Sequence, residues 1–228
     1  MIYYQTGSTE SNLSADDLRN GLYAALRAIG EKQKVLVVPP DYTRLPSRSG
    51  ELTEYCWEYL GDSLTDVLPA LGTHTPMTSK QISHMFGQVP KDLFRVHDWR
   101  NDVVTLGTVP ADFVKEVSEG ACDYTWPAQV NRLLVEGDFD LILSIGQVVP
   151  HEVVGMANYN KNILVGTGGE EAIHKSHYIG AVYGMESMMG RADTPVRRIF
   201  NHASEHFLNR LPIVYVLTVV GVNEAGDQ

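Results

Sequence analysis

The sequence predicts an α/β fold, a Rossmann-like layered arrangement in which a mostly parallel sheet is flanked by helices. Three observations carry that expectation. Short apolar runs of strand length, such as Lys34 to Val38 and Phe139 to Ile145, alternate with longer stretches of helical periodicity. Three of the runs empty into loops dense in Pro, Gly, Thr and His, as strand ends that carry chemistry do. The 228 residues fit one large domain with a continuous core.

The elements follow in order. Leu18, Leu22, Ala25, Leu26 and Ile29 recur at helical spacing, with Ser14 as N-cap and Gly30 as the stop. Lys34 to Val38 is a buried strand ended by Pro39 and Pro40. A helix over Glu51 to Leu60 presents Leu52, Tyr55, Cys56 and Tyr59 on its apolar face. Thr65 to Leu71 is the second strand, and Thr78 with Gln81 forms a capping-box pattern that opens a short helix. Phe94 to His97 and Val103 to Leu106 read as short strands around the polar turn DWRND. Pro110, at a first helical position, starts a helix over Ala111 to Glu119, and Trp126 to Glu136 reads as a further helix before Gly137. Phe139 to Ile145 and Asn162 to Val165 read as strands, Glu170 to Tyr183 and Pro195 to Asn209 as helices. Ile213 to Val220 is the last strand. It runs into GVNEAGD, a hairpin-turn composition with no return strand, so residues 1–228 are expected to be one domain of a longer molecule.

Composition narrows the function classes. A net charge of -10, from 18 Lys and Arg against 28 Asp and Glu, argues against binding a nucleic-acid backbone. It leaves an anionic small substrate open, because a pocket can be locally basic in an acidic protein. Cys56 and Cys122 are too few for a disulfide framework or a thiolate metal site. No apolar run reaches membrane-spanning length, and MIYYQTGSTES lacks a charged-then-apolar secretion pattern. The expectation is a cytoplasmic protein without a membrane or nucleic-acid partner.

The unusual residues gather in three loops. The first, PPDYTRLPSR, sets Asp41 and Arg44 around Thr43 in a proline-bounded turn, where an N-cap or loop salt bridge is the competing explanation. The second, GTHTPM, places His74 between two hydroxyls before a helix; a lone loop histidine is otherwise surface decoration. The third, Gly146 to His177, carries His151 after Pro150, then Lys161, then His177. Imidazoles and an amine together offer proton transfer, metal ligation or covalent attachment of a cofactor. Their separations match no HExxH or CxxC pattern. Lys161 read as a solvated amine is disfavoured by the apolar Ile163 to Val165 beside it. Gly166, Gly168 and Gly169 precede a helix and form a candidate anion nest, although they match neither Walker A nor GxGxxG. His97 reads as structural, His84, His174, His202 and His206 as solvated helix faces, and Trp99 and Trp126 as packing residues. No GxSxG elbow supports a serine hydrolase.

Taken together, D-Y-T-R at Asp41 to Arg44, G-T-H-T-P at Gly72 to Pro76, and Pro150, His151, Lys161 and His177 resemble, in order and spacing, the N-terminal domain of the nickel-pincer lactate racemase family. The resemblance spans roughly Val35 to Val220 of the chain, and members are about twice as long, with a second α/β domain. It implies that Lys161 tethers a nickel-pincer nucleotide through a thioamide and that His177 is the protein ligand to nickel. His74 and His151 are implied as the two acid/base histidines, Arg44 as the holder of an anion, and Asp41 as its orienting neighbour. Thr43 and the Gly166, Gly168 and Gly169 loop are implied as cofactor contacts. The implied activity is racemisation or epimerisation of a 2-hydroxy acid by reversible hydride transfer, with cofactor-synthesis proteins as partners. Where lactate racemases carry Ser-Gly-Gly before the lysine, this chain has Asn158, Tyr159 and Asn160. Their extra hydrogen-bonding groups point to a polyhydroxylated, aldonic-type acid, as in sugar-acid epimerase members. Two other readings stand beside this one: a hydrolase or lyase with a simple metal on His74, His151 and His177, and a non-catalytic α/β binding domain.

Overall fold

The computed structural model describes residues 1–221. The chain begins α1 (Ala15–Ile29), β1 (Val35–Val38), α2 (Ser49–Leu60), β2 (Leu64–Val67) and α3 (Ser79–Phe86). It continues through β3 (Val103–Val109), α4 (Ala111–Val117), β4 (Trp126–Asn131), α5 (Leu133–Glu136) and β5 (Leu141–Gln147). A small β6 (Pro150–His151) and β7 (Gly155–Met156) lead to α6 (Asn160–Leu164), α7 (Glu170–Tyr183), α8 (Met185–Met188), α9 (Pro195–His206) and β8 (Ile213–Thr218).

β1, β2, β5 and β8 form one parallel sheet in the order β2-β1-β5-β8. Successive side chains of a strand point to opposite faces, so each strand of this sheet feeds two cores. Val35 and Val37 of β1, with Leu141, Leu143 and Ile145 of β5, pack under Leu22, Leu26, Leu52, Cys56 and Phe86 of α1 to α3. Leu36, Val38 and Ile142 pack on the other face against Trp126, Ile163, Ile173, Val196 and Phe200. Helices therefore cover both faces, and β1 is buried along its whole length because both of its faces are interior. The expected α/β layered class is the fold observed.

Local chemistry explains most element boundaries. Ser14 caps α1 and Asp17 returns the bond, a complete capping box, and Thr78 with Gln81 does the same for α3. Thr194 caps α9, whose Pro195 takes the first turn where a missing N–H costs nothing. Pro110 stands one residue earlier than expected, at the N-cap of α4.

Three sequence expectations are corrected. Trp126 to Glu136 is not one helix: β4 occupies Trp126–Asn131 and only Leu133–Glu136 is helical. β4 pairs antiparallel with β3 in a separate two-stranded sheet, and all of its residues except Gln129 are buried, so its burial carries no alternation that could have marked it as a strand. Asn162 to Val165 is not a strand but the end of α6, a short apolar run whose type periodicity does not decide. Phe94 to His97 forms only an isolated bridge, Val67 to Phe94. Of the expected terminal turn, residues 222–228 lie outside the described residues.

β1 and β5 are sheet neighbours, yet the chain leaves β1 toward β2 and leaves β5 toward β8, on opposite sides. In open α/β sheets the crevice at such a reversal, beyond the carboxyl ends of the strands, is where ligands bind.

Candidate active site

The loops after β1, β2 and β5 meet at that crevice and line one cavity. Asp41, Thr43 and Arg44 come from the first loop, His74 from the second, His151 from the third, and Lys161, Gly166 and His177 from α6, the turn after it and α7. The structure thus brings together residues that stand more than a hundred positions apart in the chain.

Asp41 is buried and holds His74. Its Oδ2 lies 2.6 Å from Nδ1 of His74, and its Oδ1 accepts from the Thr43 amide at 3.1 Å. The carboxylate fixes the imidazole with its proton on Nδ1, leaving a lone pair on Nε2 of this exposed ring. The pair is asymmetric: the His74 side chain is 57% exposed and that of Asp41 is 7%. An anchored acid thus carries an accessible base.

His151 has the opposite arrangement. It is buried, and its Nδ1 accepts the Val153 amide at 3.1 Å, so the neutral ring carries its proton on Nε2. Burial, and then the positive charge of Lys161, push its pKa down to about 4. Glu152 lies 3.6 Å from the same Nδ1 and opposes that shift only partly.

Lys161 sits in the first turn of α6. Burial and the Arg44 guanidinium lower its pKa to about 8, so roughly a tenth of the amine is uncharged at pH 7, far more than for an ordinary lysine. Such an amine is a nucleophile, not a solvated surface charge. His177 donates Nδ1–H to the Ile173 carbonyl one turn back, at 2.7 Å. That bond leaves Nε2 unprotonated and oriented, the arrangement of a ligating histidine with a backbone second contact. Desolvation also lowers the His177 pKa, which keeps the ring neutral and able to ligate.

The remaining sequence candidates divide. Asn158 lines the cavity, with its side chain lying over Gly146 so closely that a Cβ there would come 1.5 Å from Asn158 Nδ2. Tyr159 is turned away onto Tyr215, ring centroids 4.4 Å apart, and Asn160 is buried between Arg197 and Asn201. Gly166 borders the cavity, but Gly168 and Gly169 do not. Both are needed for packing: a Cβ on Gly168 would meet the Leu164 carbonyl at 2.1 Å, and one on Gly169 would meet the Gln129 side chain at 2.5 Å. Two first-turn amides of α7 are already engaged, Glu170 with the Trp99 carbonyl and Ala172 with Gln129 Oε1, so the helix start is not an open anion nest. His97 supports this turn from behind. It is buried, bonded through Nε2 to the Gly168 carbonyl at 3.0 Å, and receives Asn131 Nδ2 on Nδ1.

Sequence reasoning missed Gln147, Glu152 and Thr73, which also line the cavity. Position was the available signal, since Gln147 ends β5 and Glu152 and Thr73 adjoin the chosen histidines. Among the described residues, no three His, Cys, Asp or Glu side chains converge as a metal-holding group, and no helix is long and apolar enough to cross a membrane.

Comparison with known proteins bears on the family and the fold. A lactate racemase from Thermoanaerobacterium thermosaccharolyticum is 26% identical over 233 residues, covering 95% of this chain and 50% of that protein. A crystal structure of a Thermotoga maritima protein superposes with a TM-score of 0.84 at 30% identity, covering 93% of this chain and 52% of the other. The lactate racemase apoprotein from T. thermosaccharolyticum, at 22% identity, shares the fold with a TM-score of 0.59, over 95% of this chain and 46% of that one. The chain spans about half the length of the relatives it matches. Residues 19–190 match the family model described as the lactate racemase N-terminal domain, and the chain belongs to that family.

Proposed function

We propose that this domain bears the cofactor of a 2-hydroxy acid racemase or epimerase, with a nickel-pincer nucleotide tethered at Lys161. One observation carries the reading: a desolvated, partly uncharged lysine shares a cavity with two histidines whose Nε2 is free, His74 and His177, and a third, His151, whose proton sits on Nε2. The residues fit the group. Lys161 would supply the amine for the thioamide, and His177 a single imidazole for a metal whose other donors belong to the pincer; soft donors with one imidazole suit nickel. When bound, that cofactor supplies a hydride acceptor for C2 of the substrate. A simple metal on His74, His151 and His177 would need those rings to converge, and among the described residues no such group forms.

The chain's own residues do the rest. His74 Nε2, held by Asp41, accepts the substrate hydroxyl proton, because its Nδ1 already carries one. His151 handles the proton on the opposite side, with the Val153 amide fixing its ring. Arg44, exposed at the cavity, pairs with the substrate carboxylate or a cofactor anion. Residues 1–228 serve as the N-terminal catalytic domain, and a second domain closes the site in the full-length protein. Cofactor-synthesis proteins are its partners.

The favoured substrate is a polyhydroxylated acid. Asn158, Gln147 and Glu152 give the cavity wall amide and carboxylate groups that match several hydroxyls, where lactate offers one. The test is to make the full-length protein together with the cofactor-synthesis proteins and incubate it with lactate and with gluconate. Epimerisation of gluconate with slow lactate racemisation is expected. Fast lactate racemisation with inert aldonate would overturn the substrate assignment.

A further inference from the structure

Arg197 on α9 is a buried guanidinium for which no ion pair is formed among the described residues; desolvation lowers its pKa, and only Tyr159 and Tyr215 oppose that shift. Its two terminal nitrogens donate instead to Asn160 Oδ1 and to the Met156 carbonyl. Asn201, one turn further along α9, accepts from the Asn160 amide at 2.9 Å. One face of α9 therefore grips both ends of the segment Met156 to Asn160, which leads directly into Lys161.

That segment needs gripping. Asn158 and Tyr159 have φ of 61° and 57°, in the left-handed region that asparagine tolerates and tyrosine rarely adopts. The Asn158 Oδ1 accepts the Tyr159 amide at 2.7 Å, and the Tyr159 ring rests on Tyr215. Two consecutive left-handed residues turn the backbone sharply before α6, so that Lys161 enters the cavity while Tyr159 leaves it. Without outside contacts, a turn of this kind relaxes.

We propose that Arg197 is the positioning residue of Lys161: its guanidinium clamps the left-handed Asn158–Tyr159 turn and so keeps the lysine amine desolvated, facing the cavity and poised as a nucleophile. An uncompensated cation is suited to the task. A carboxylate gripping the same segment would stabilise the charged amine, whereas a guanidinium holds the backbone and repels that charge. Arg44, Glu152 and Asp41 face Lys161 from the other loops, with His151 and His177 alongside, and Arg197 adds the contribution from α9. The proposal rests on Lys161 being the reactive amine of the site, but its test does not need the cofactor.

The experiment is competitive acetylation with trace acetic anhydride across pH 6 to 11, read peptide by peptide by mass spectrometry, with Lys32, Lys80 and Lys91 as internal standards. The amine attacks the acyl carbon, acetate leaves and the amine proton is lost, so the rate follows the uncharged fraction. In the unmodified protein, Lys161 is expected to reach half-maximal labelling well below the standards. In Arg197→Gln the midpoint is expected to move up by about half a pH unit or more, with labelling at pH 8 falling ~twofold or more. Arg197→Lys, which keeps the charge and one donor, is expected to lie between the two. An unchanged midpoint in both variants, with only a lower Tm, would overturn the proposal. Should Arg197→Gln not fold, Arg197→Lys and Asn201→Ala decide it: an upward midpoint in either supports the clamp, and wild-type midpoints in both refute it. Wild-type midpoints in the variants, with cofactor found on Lys161 of the unmodified protein, would sink the clamp alone, whereas midpoints that rise in the variants, with no cofactor on Lys161, would sink the racemase reading alone.

Discussion

At the scale of single residues, the site works by setting neighbouring groups against one another. Lys161 is held below its ordinary pKa by burial and Arg44, so at neutral pH its charged form is costly to the fold. Its folded pKa of about 8 lies under the unfolded value near 10.5; the unfolded chain binds more protons between these values, and stability rises with pH across that window. Lys161→Met is therefore expected to stabilise the domain at pH 7 by on the order of 1–3 kcal/mol, measured by urea denaturation, with the gain vanishing above about pH 10.5. Removing that cation also relieves His151: its pKa is expected to rise from about 4 toward 6.5 in Lys161→Met, staying below because burial is the larger cause, as read by NMR titration. The sign for His151 in the native protein is the same as for Lys161, because folding lowers both pKa values. Its folded pKa lies under the unfolded value, so stability falls as pH drops from about 6.5 to about 4, and His151→Gln is expected to flatten that slope. Asp41→Asn would put an amide against His74 Nδ1 and move the ring proton to Nε2, costing ~10²–10⁴-fold in turnover of the loaded enzyme while leaving the fold intact. The residue types of this chemistry were legible in the sequence, since His, Lys and Asp in glycine- and proline-rich loops stand out. Their tautomers were not, because each depends on a partner such as the Val153 amide or the Ile173 carbonyl, and composition carries no trace of those bonds.

At the scale of elements, the sequence was most readable where one local signal decides. The capping boxes at Ser14 and Thr78 and the apolar runs of β1 and β5 needed nothing beyond their own residues. Trp126 to Glu136 and Asn162 to Val165 misled because tertiary pairing and packing choose between helix and strand for short apolar runs. The turn after α6 shows what such elements do for the site. The Gly72 amide donates to the Gly166 carbonyl at 2.8 Å, tying the His74 loop to the end of the lysine helix. A Cβ on Gly166 would come 2.3 Å from the Asn162 carbonyl and 2.6 Å from the Ala70 side chain. Gly166→Ala is expected to destabilise the domain by about 1–3 kcal/mol, as overpacking does, and to lower turnover further by displacing His74. Thermal unfolding and steady-state kinetics together would check it; wild-type stability with wild-type turnover would mean that the two loops are not mechanically joined.

For the whole molecule, topology makes the site possible. The reversal between β1 and β5 opens a crevice at the carboxyl ends of the strands, and the loops after β1, β2 and β5 deliver Arg44, His74 and His151 to it. The fold class was legible from the alternation of strand and helix patterns, but the convergence was not, because it depends on strand order and sequence does not state strand order. Family membership adds that relatives about twice this length share the domain. One cavity places Lys161 beside His177, His74 and His151, and the proposed tether at Lys161 makes that lysine the residue to test. Intact-mass measurement of the protein made in cells that synthesise the cofactor, followed by peptide mapping and nickel analysis, tests it most directly. A mass increment on Lys161 that is lost in Lys161→Met, with nickel retained in proportion, is the expected result; an active enzyme whose Lys161 is unmodified would overturn the tether.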